Sequence, residues 1–538
     1  MRRLFLYLAL ALGSAVFLWP FLWMIGTSMK LDREVMTSQL RLFPRAPVPA
    51  KVSPYWDDQL FADLPSKHQA DLLPEIESAL QRIDMDWGVA GGVETVQKLV
   101  ARGLFKRLSE TAEIALWNGP SEALKAQARA LATPEAVDEV MRQLRRSLGV
   151  GQLRARSYDL VEDGLVAQGG VSEAWRTLDS SLVASNEARD PFASWRYDFS
   201  KKAEPRLEQT FKTSFPLERL HRLQLEYRSD DGWHAMMFSV EMKGRRYEAE
   251  RPIYMADRQT GVALFQEPGP DDQTNKIRNW VLLREAGTST VTAPDEMKVT
   301  IALRESSLMD AWGAKILRNY QSTLRHIPFW RYVGTSLFLV ILTMVATLFS
   351  CSLVAYSFAR LQWPGRGFCF ALMLATMMIP PQVTMIPNFL IIRSLGWYNT
   401  LLPLWVPHLF AGAFNVFLLR QFLKGIPKDL EDAARIDGCG FLRIYWHVML
   451  PLIKPTLAAI AIFTFMGTWN DFMGPLIYLS DQQLYPLSFG LYALNVQAGG
   501  SLPMMMAGSL LMTLPIIALF FFAQRYFMQG VTLTGIKG

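Results

Sequence analysis

A polar stretch from Gly425 to Pro451 lies between two long apolar runs and carries Lys428, Asp429, Glu431, Asp432, Arg435, Asp437, Arg443 and His447. Of these, Arg435, Asp437 and Arg443 suit polar contacts with another surface on chemistry alone. Ala433 and Ala434 favour a helix, and Gly438 and Gly440 permit a sharp turn. Phe441 to Val448 can form a second short amphipathic helix, which Pro451 interrupts before the next apolar run. The expected unit is a helix–turn–helix on the membrane surface, with small alanines that let it seat in a partner's groove. The same residues also suit an interfacial helix that only anchors the loop.

Polar residues inside apolar runs are the second group of interest, because they are costly in a bilayer. Asn470 and Asp471 follow Trp469 and are candidates for a translocation path or for a bond between helices. Pro380 and Pro381 are expected to break the run that contains them, and broken helices can line cavities. Met504-Met505-Met506 reads as lipid-facing or core. Cys351, Cys369 and Cys439 have neither zinc nor redox spacing, and the six His are scattered. No paired carboxylates or nucleophile–base spacing stands out. No catalytic residue, no metal ligand and no bound cofactor is therefore expected. The chain also has no Gly-Lys-Ser/Thr phosphate loop, so it supplies no Walker A site.

Several apolar elements must hold these groups. Of the 538 residues, 50% are hydrophobic and only 19% charged, against roughly 25% charged in soluble chains. Leu4 to Met29 is uncharged and follows Met1-Arg2-Arg3. Its length of about 26 residues suits a retained membrane helix better than a cleaved signal. Five more apolar runs, at about 332–358, 368–392, 400–422, 452–478 and 503–524, bring the expected spans to six. Arg360, Arg366, Lys424, Lys428, Arg435, Arg443, Lys454, Arg525 and Lys537 fall on one side. The opposite short loops hold Arg393 and, in 480–502, no Lys or Arg. That asymmetry places both termini in the cytoplasm and residues 50–315 on the outer face. The net charge of +6 has the same source, and no basic patch with interleaved aromatics points to nucleic acid.

The polar loop resembles the EAA signature of permease subunits in binding-protein-dependent ABC importers. That pattern reads Glu-Ala-Ala, three residues, Gly, nine residues, Ile, one residue, Leu-Pro. Here Asp432-Ala433-Ala434, Gly438, Val448 and Leu450-Pro451 keep the spacing, with Asp for Glu and Val for Ile. Pro20 to Lys30, Asn319-Tyr320, Phe329 to Tyr332, Arg360 to Arg366, Pro380-Pro381, Trp469 to Phe472 and Gln524 to Gly538 are similar to the maltose-type carbohydrate branch. Gly334-Thr335-Ser336 departs from the usual Asn-Ser.

The resemblance covers about 1–48 and 316–538, and it implies a type I importer permease fold. It further implies a cytoplasmic ABC ATPase dimer that consumes ATP, a second and different permease subunit, and an extracytoplasmic substrate-binding protein. The substrate it implies is a sugar or oligosaccharide, with glycerol phosphate esters in the same branch as the alternative. Asp432, Ala433, Ala434 and Gly438 would form the core of the ATPase contact. Arg435, Asp437 and Arg443 add polar contacts on chemistry alone, and Leu450-Pro451 closes the motif. Two rivals stand beside this reading: a secondary transporter without an ATPase, and a membrane-anchored outer-face sensor or carbohydrate-binding protein. The division expected is 1–49, first span and start of the outer loop; 50–315, periplasmic insert; and 316–538, five-helix core with the coupling loop at 425–451.

The insert resembles no known family. Val93, Val96, Leu99, Val100 and Leu104 mark one helical face, as do Val137, Val140, Met141, Leu144 and Leu148 behind Thr133-Pro134. Leu223, Leu225 and Tyr227, then Phe238, Val240 and Met242, then Val299, Ile301 and Leu303 alternate as strands do. The expectation is an α+β domain, helical over about 60–180 and β-rich, in the manner of a sandwich, over about 195–305. Trp233, Tyr247, Tyr254 and Trp280 are available for sugar stacking or for the core.

Overall fold

The computed structural model describes residues 2–35, 41–58, 60–62, 64–65, 67–87, 92–119, 121–157, 163–165, 176–177, 182–183, 192–256, 260–267, 280–497 and 500–532. Lys537 and the tail beyond 532 lie outside the described residues. The chain forms two units. One contains the chain up to Arg45 and the chain from Ile316; the other contains Ala46–Gly269 and Trp280–Lys315.

In the first unit, four helical stretches among the described residues are long and apolar enough to cross a membrane: Phe5–Ser28, Phe329–Arg360, Leu402–Lys424 and Leu502–Phe522. Two bent pairs raise the number to six if each is one span. Arg366–Thr376 and Pro381–Ser394 meet at 100°, and Phe441–Leu452 and Lys454–Trp469 at 75°. The first break falls just before Pro380 and Pro381, as the sequence suggests, because Pro381 cannot donate into a continuing helix. The apolar run 452–478 is not one helix, and here the sequence reading needs correction. Its helix stops at Trp469, and a short helix Met473–Tyr478 follows.

Phe329–Arg360 is the central helix of this unit, with residues such as Leu339, Thr343, Thr347 and Cys351 buried along it. Helix Arg2–Ser28, in contrast, is exposed over most of its length and packs on Leu502–Thr532. Asn319 fixes its end. The carboxamide Nδ2 donates to the carbonyls of Ser28 and Lys30, each at 2.8 Å, and so satisfies groups that a helix C-terminus leaves open.

The second unit has a helical part and a β part with separate cores. Helices Gln69–Leu80, Val93–Thr111, Ser121–Leu131 and Pro134–Leu144 bury Leu72, Ile76, Val100, Leu104, Val137 and Val140. Thr133 caps the last of these from Ala136 N at 3.3 Å. Gly103 allows the close crossing of two helices, since a Cβ there would meet Val140 Cγ1 at 2.5 Å.

The helical part ends at Leu144, not near 180, which corrects the sequence-based boundary. Residues 158–162, 166–175 and 178–180 of the expected span lie outside the described residues. Leu148, expected on a helical face, instead begins strand Leu148–Ser157. Two constraints end the helix. The buried Arg146 guanidinium is paired with Asp57, and Arg145–Arg146 pairs with Tyr55–Trp56 as strands. Gly149 and Gly151 are poor helix formers, and Gly151 lies against the Phe192 ring, which a Cβ would meet at 2.8 Å.

The β part follows the strand order Arg206–Lys212, Glu296–Arg304, Ala235–Met242, Arg245–Ala249, Val281–Thr288, Thr260–Gln266, Leu220–Arg228, Leu148–Ser157, Ala193–Trp195. All neighbours are antiparallel except Val281–Thr288 with Thr260–Gln266. The alternation seen in the sequence supplies the core: Phe238 lies opposite Ile301 and Val240 opposite Val299, and Phe238 stacks on Phe265 at 3.8 Å. Lys243-Gly244 make a two-residue hairpin, both at positive φ. Trp233 and Tyr247 belong to the interior at 2% and 7% exposure, so they are not free for stacking on a sugar.

His234 ties together the two ends of this unit. Its Nε2–H donates to the Ala50 carbonyl at 2.6 Å, and its Nδ1 accepts Ser306 N–H at 3.2 Å. Asp230, also buried, accepts from the Tyr197 hydroxyl at 2.5 Å and from Gly232 N at 3.0 Å. Burial holds the His234 imidazole below its ordinary value of 6.5 and raises the Asp230 carboxyl. The unfolded chain therefore binds the His234 proton first, and stability falls as pH drops below about 6.5. Asp230 acts oppositely, but only as pH falls from its raised value toward 3.8. Thermal unfolding of the full chain in detergent should shift down between pH 7.5 and 6. His234→Gln keeps a donor and an acceptor without titrating, so its unfolding temperature should move less over that interval; an equal shift in both proteins would count against this role.

Candidate functional site

The loop after helix Ala413–Lys424 folds as two short helices with a tight turn between them. Helix Asp429–Ile436 places Asp429, Glu431 and Asp432 in its first turn, where the helix dipole favours negative charge. It closes with Gly438 N donating to Arg435 O at 3.0 Å and Cys439 N to Ala434 O at 2.9 Å, a Schellman arrangement. Gly438 has φ +78°, which glycine adopts without the steric cost that a Cβ brings. A Cβ at this position would meet nothing within 4 Å. The conformation, not packing, demands glycine here.

The second helix runs from Phe441 through a wide π turn at Tyr445–Met449 to Leu450–Leu452. Pro451 does not interrupt it, which corrects the sequence reading. The wide turn accommodates the missing donor, and the bend comes at Ile453, ahead of Pro455 at the start of helix Lys454–Trp469.

The two helices divide their faces. Glu431, Ala434, Ile444, Tyr445 and Met449 are buried. Asp432, Ala433, Arg435, Asp437, Gly438, Arg443 and Pro451 are exposed, and Leu450 is half-buried. Ile436 is 86% exposed, and Leu430, Phe441, Leu442 and Trp446 are also exposed. Ala434, expected at the contact with a partner, instead packs inward, because the helical period turns it to the side of Glu431. Arg435 reaches back toward Asp432 Oδ1 at 3.8 Å and Glu431 Oε2 at 4.0 Å.

The inward face is held by helix Phe329–Arg360. Arg360, the last residue of that helix, donates to the carbonyls of Leu423 and Ile426. Its Nε lies 3.0 Å from Glu431 Oε1, with only 5% and 6% of the two side chains exposed. Tyr356 donates to the Phe441 carbonyl at 3.2 Å, and Ser352 and Tyr445 share a 2.7 Å hydroxyl bond. Removing one member of such a buried ion pair costs about 3–5 kcal/mol. Neither the charge asymmetry nor the family resemblance that draws on Arg360 links it to Glu431. The signal that was present is the polar spacing Ser352, Tyr356, Arg360 at i, i+4, i+8, which puts all three on one helical face.

A cavity of about 370 Å³ opens elsewhere in this unit. Thr347, His408, Asn415, Thr464, Thr468 and Asp471 are its polar lining, and Leu404, Phe414 and Phe463 are among its apolar walls. Its size is within the range of small-ligand sites. Asp471 is on the cavity, whereas Asn470 is not among its lining residues. Asn470 donates to Met466 O at 2.9 Å and so finishes the helix; Asp471 Oδ1 accepts Gly474 N at 3.0 Å and starts the next one. Thr347 Oγ1 is buried with no hydrogen-bond partner among the described residues. His408 and Asn415 were missed in the sequence, although a lone His in an uncharged run is a recognisable signal.

The turn generates a prediction. Gly438→Ala should cost about 1–2 kcal/mol, the price of a left-handed backbone alone. Gly438→Pro also removes the N–H bonded to Arg435 and should cost more. Hydrogen–deuterium exchange over 429–452 reads both: equal protection in all three proteins would contradict the assigned turn.

The sequence profile of the family described as binding-protein-dependent transport system inner membrane component matches residues 312–532. The arabinooligosaccharides transport system permease protein AraQ of Halalkalibacterium halodurans is 39% identical over 210 residues, which cover 39% of this chain and 75% of that protein. AraQ of Bacillus subtilis is 36% identical over 210 residues, covering 39% of this chain and 74% of that protein. A solved bacterial ABC transporter involved in the import of the acidic polysaccharide alginate is 27% identical over 39% of this chain and 79% of its own, with a TM-score of 0.36. The loop spacing, the apolar helices and three-quarters of a relative's length together place the chain in the family of inner membrane permease components of binding-protein-dependent transport systems.

Proposed function

We propose that this permease forms part of the path for a sugar or oligosaccharide and couples to a separate cytoplasmic ATPase dimer through the loop 425–451. The loop's division of faces carries the reading. Its inner side is fixed to helix Phe329–Arg360, while Ile436, Phe441, Leu442 and Trp446 stay exposed beside Asp432 and Arg435. Exposed large apolar residues with charged neighbours suit a docking surface. The sugar assignment rests on relatives named for arabinooligosaccharide transport and galactooligosaccharide transport. The cavity's hydroxyl, carboxamide, imidazole and carboxylate groups can exchange hydrogen bonds with a polyol. Asp471 is the path residue of this reading, and Asn470 is left with a structural role.

The wider assembly follows the family. A second, different permease chain completes the path, and an extracytoplasmic binding protein delivers the substrate. The two bent pairs count as single spans, giving six, with both termini in the cytoplasm. The second unit then lies outside as a β-sandwich with an attached helical part. With Trp233 and Tyr247 interior, Tyr254 is the exposed large aromatic among that unit's described residues, which favours docking or gating over sugar capture.

Gentle affinity purification from membranes tests the coupling. The unmutated chain should bring down an ATPase and a second multi-span chain. Gly438→Pro should lose the ATPase and keep the other. Ile436→Glu should weaken ATPase retention about tenfold or more without changing the unfolding temperature. No ATPase with the unmutated chain would remove the coupling role. Uptake of labelled arabino- and galactooligosaccharides tests the substrate class, and Asp471→Ala should reduce it at least tenfold if the cavity is on the path.

A further inference from the structure

The contacts between the loop and helix Phe329–Arg360 form a ladder. Ser352, Tyr356 and Arg360 recur every four residues and so share one face. Each grips a different point of the loop: the Tyr445 hydroxyl, the Phe441 carbonyl and the Glu431 carboxylate. Arg360 also closes the two carbonyls at the end of helix Ala413–Lys424 and just beyond it. The charged rung is the one that reaches the first loop helix. The same helix, Phe329–Arg360, carries Leu339 and Thr347 on the cavity wall. Thr347 is 13 residues from Arg360, or about 20 Å along a helix. No hinge separates them, since the helix is unbroken over that length.

We infer that the buried Arg360–Glu431 pair makes the loop and helix Phe329–Arg360 move as one body, so that displacement of the loop by its ATPase is delivered to the cavity wall. Arg360 and Glu431 are thus positioning residues, distinct from the exposed groups that touch the partner. This inference rests on the reading of the loop as the ATPase contact. Asp432 and Ile436 face outward for docking, whereas Glu431 faces inward for transmission. Asp432 and Ile436 can therefore be mutated separately from Glu431, while Arg435, one turn on from Glu431, lies 4.0 Å from its carboxylate.

The test uses the chain purified with its accompanying ATPase and permease, with Cys351, Cys369 and Cys439 replaced by Ala and Leu339→Cys introduced. The rate of N-ethylmaleimide labelling at this cysteine is compared without nucleotide and with ATP plus vanadate. With the pair intact, the two rates should differ at least fivefold. Glu431→Gln should bring that ratio below twofold while the ATPase still copurifies, and Glu431→Asp, which keeps the charge, should restore most of it. An unchanged ratio in Glu431→Gln with the ATPase bound would overturn the inference. Loss of the ATPase from Glu431→Gln would also overturn it, because the pair would then serve docking. If Glu431→Gln does not assemble, the double variant Arg360→Met, Glu431→Met removes both charges at similar volume, and a retained fivefold ratio there overturns the inference. Absence of the ATPase from the unmutated assembly is a different result, since it strikes the coupling reading itself.

Discussion

A charge that cannot return to water governs the membrane unit. Arg360 stands at the end of a 32-residue helix with its guanidinium almost wholly buried. Desolvating such a group is costly unless an opposite charge and acceptors face it. The answers come from Glu431 and from the carbonyls of Leu423 and Ile426. Meeting that demand brings three segments together: the central helix, the end of helix Ala413–Lys424 and the first helix of the loop. The loop is consequently part of the helical scaffold on one side and a free surface on the other.

That arrangement explains why the loop can be both short and well defined. A helix of eight residues has little stability of its own. Its inner face borrows order from Phe329–Arg360, and its end is closed by the left-handed Gly438. The outward residues are then presented in fixed positions without contributing to the fold. The cavity obeys a related logic. Asn470 and Asp471 end one helix and begin another, and the interruption leaves a carboxylate facing a space lined by hydroxyls.

The second unit solves a different problem. Its chain enters near Ala50 and leaves near Ser306, and His234 bonds to both. The alternating strands supply one core and the helices another, so the unit has an interior of its own. Of the four aromatic residues available for ligands, Trp233 and Tyr247 are buried, whereas Trp280 is half-buried and Tyr254 exposed. Burial of large rings is worth more to folding than their exposure.

The sequence by itself determined the elements whose signals are local. Alternation at Phe238, Val240, Val299 and Ile301 set the strands and Thr133-Pro134 set a helix start, each through periodicity or backbone preference within a few residues. The identity of the loop from Asp432 to Pro451 came from its resemblance to a family motif. Tertiary structure decided the rest. Leu148 became a strand because Arg146 pairs with Asp57 and Phe192 covers Gly151. The bend at Ile453, the break after Trp469 and the inward turn of Ala434 also depend on neighbours distant in sequence. Above all, Glu431 looked like one more surface acid until the fold set it against Arg360. A pairing across about seventy residues leaves no periodic trace, since it is fixed by where two helices end and not by what either one prefers.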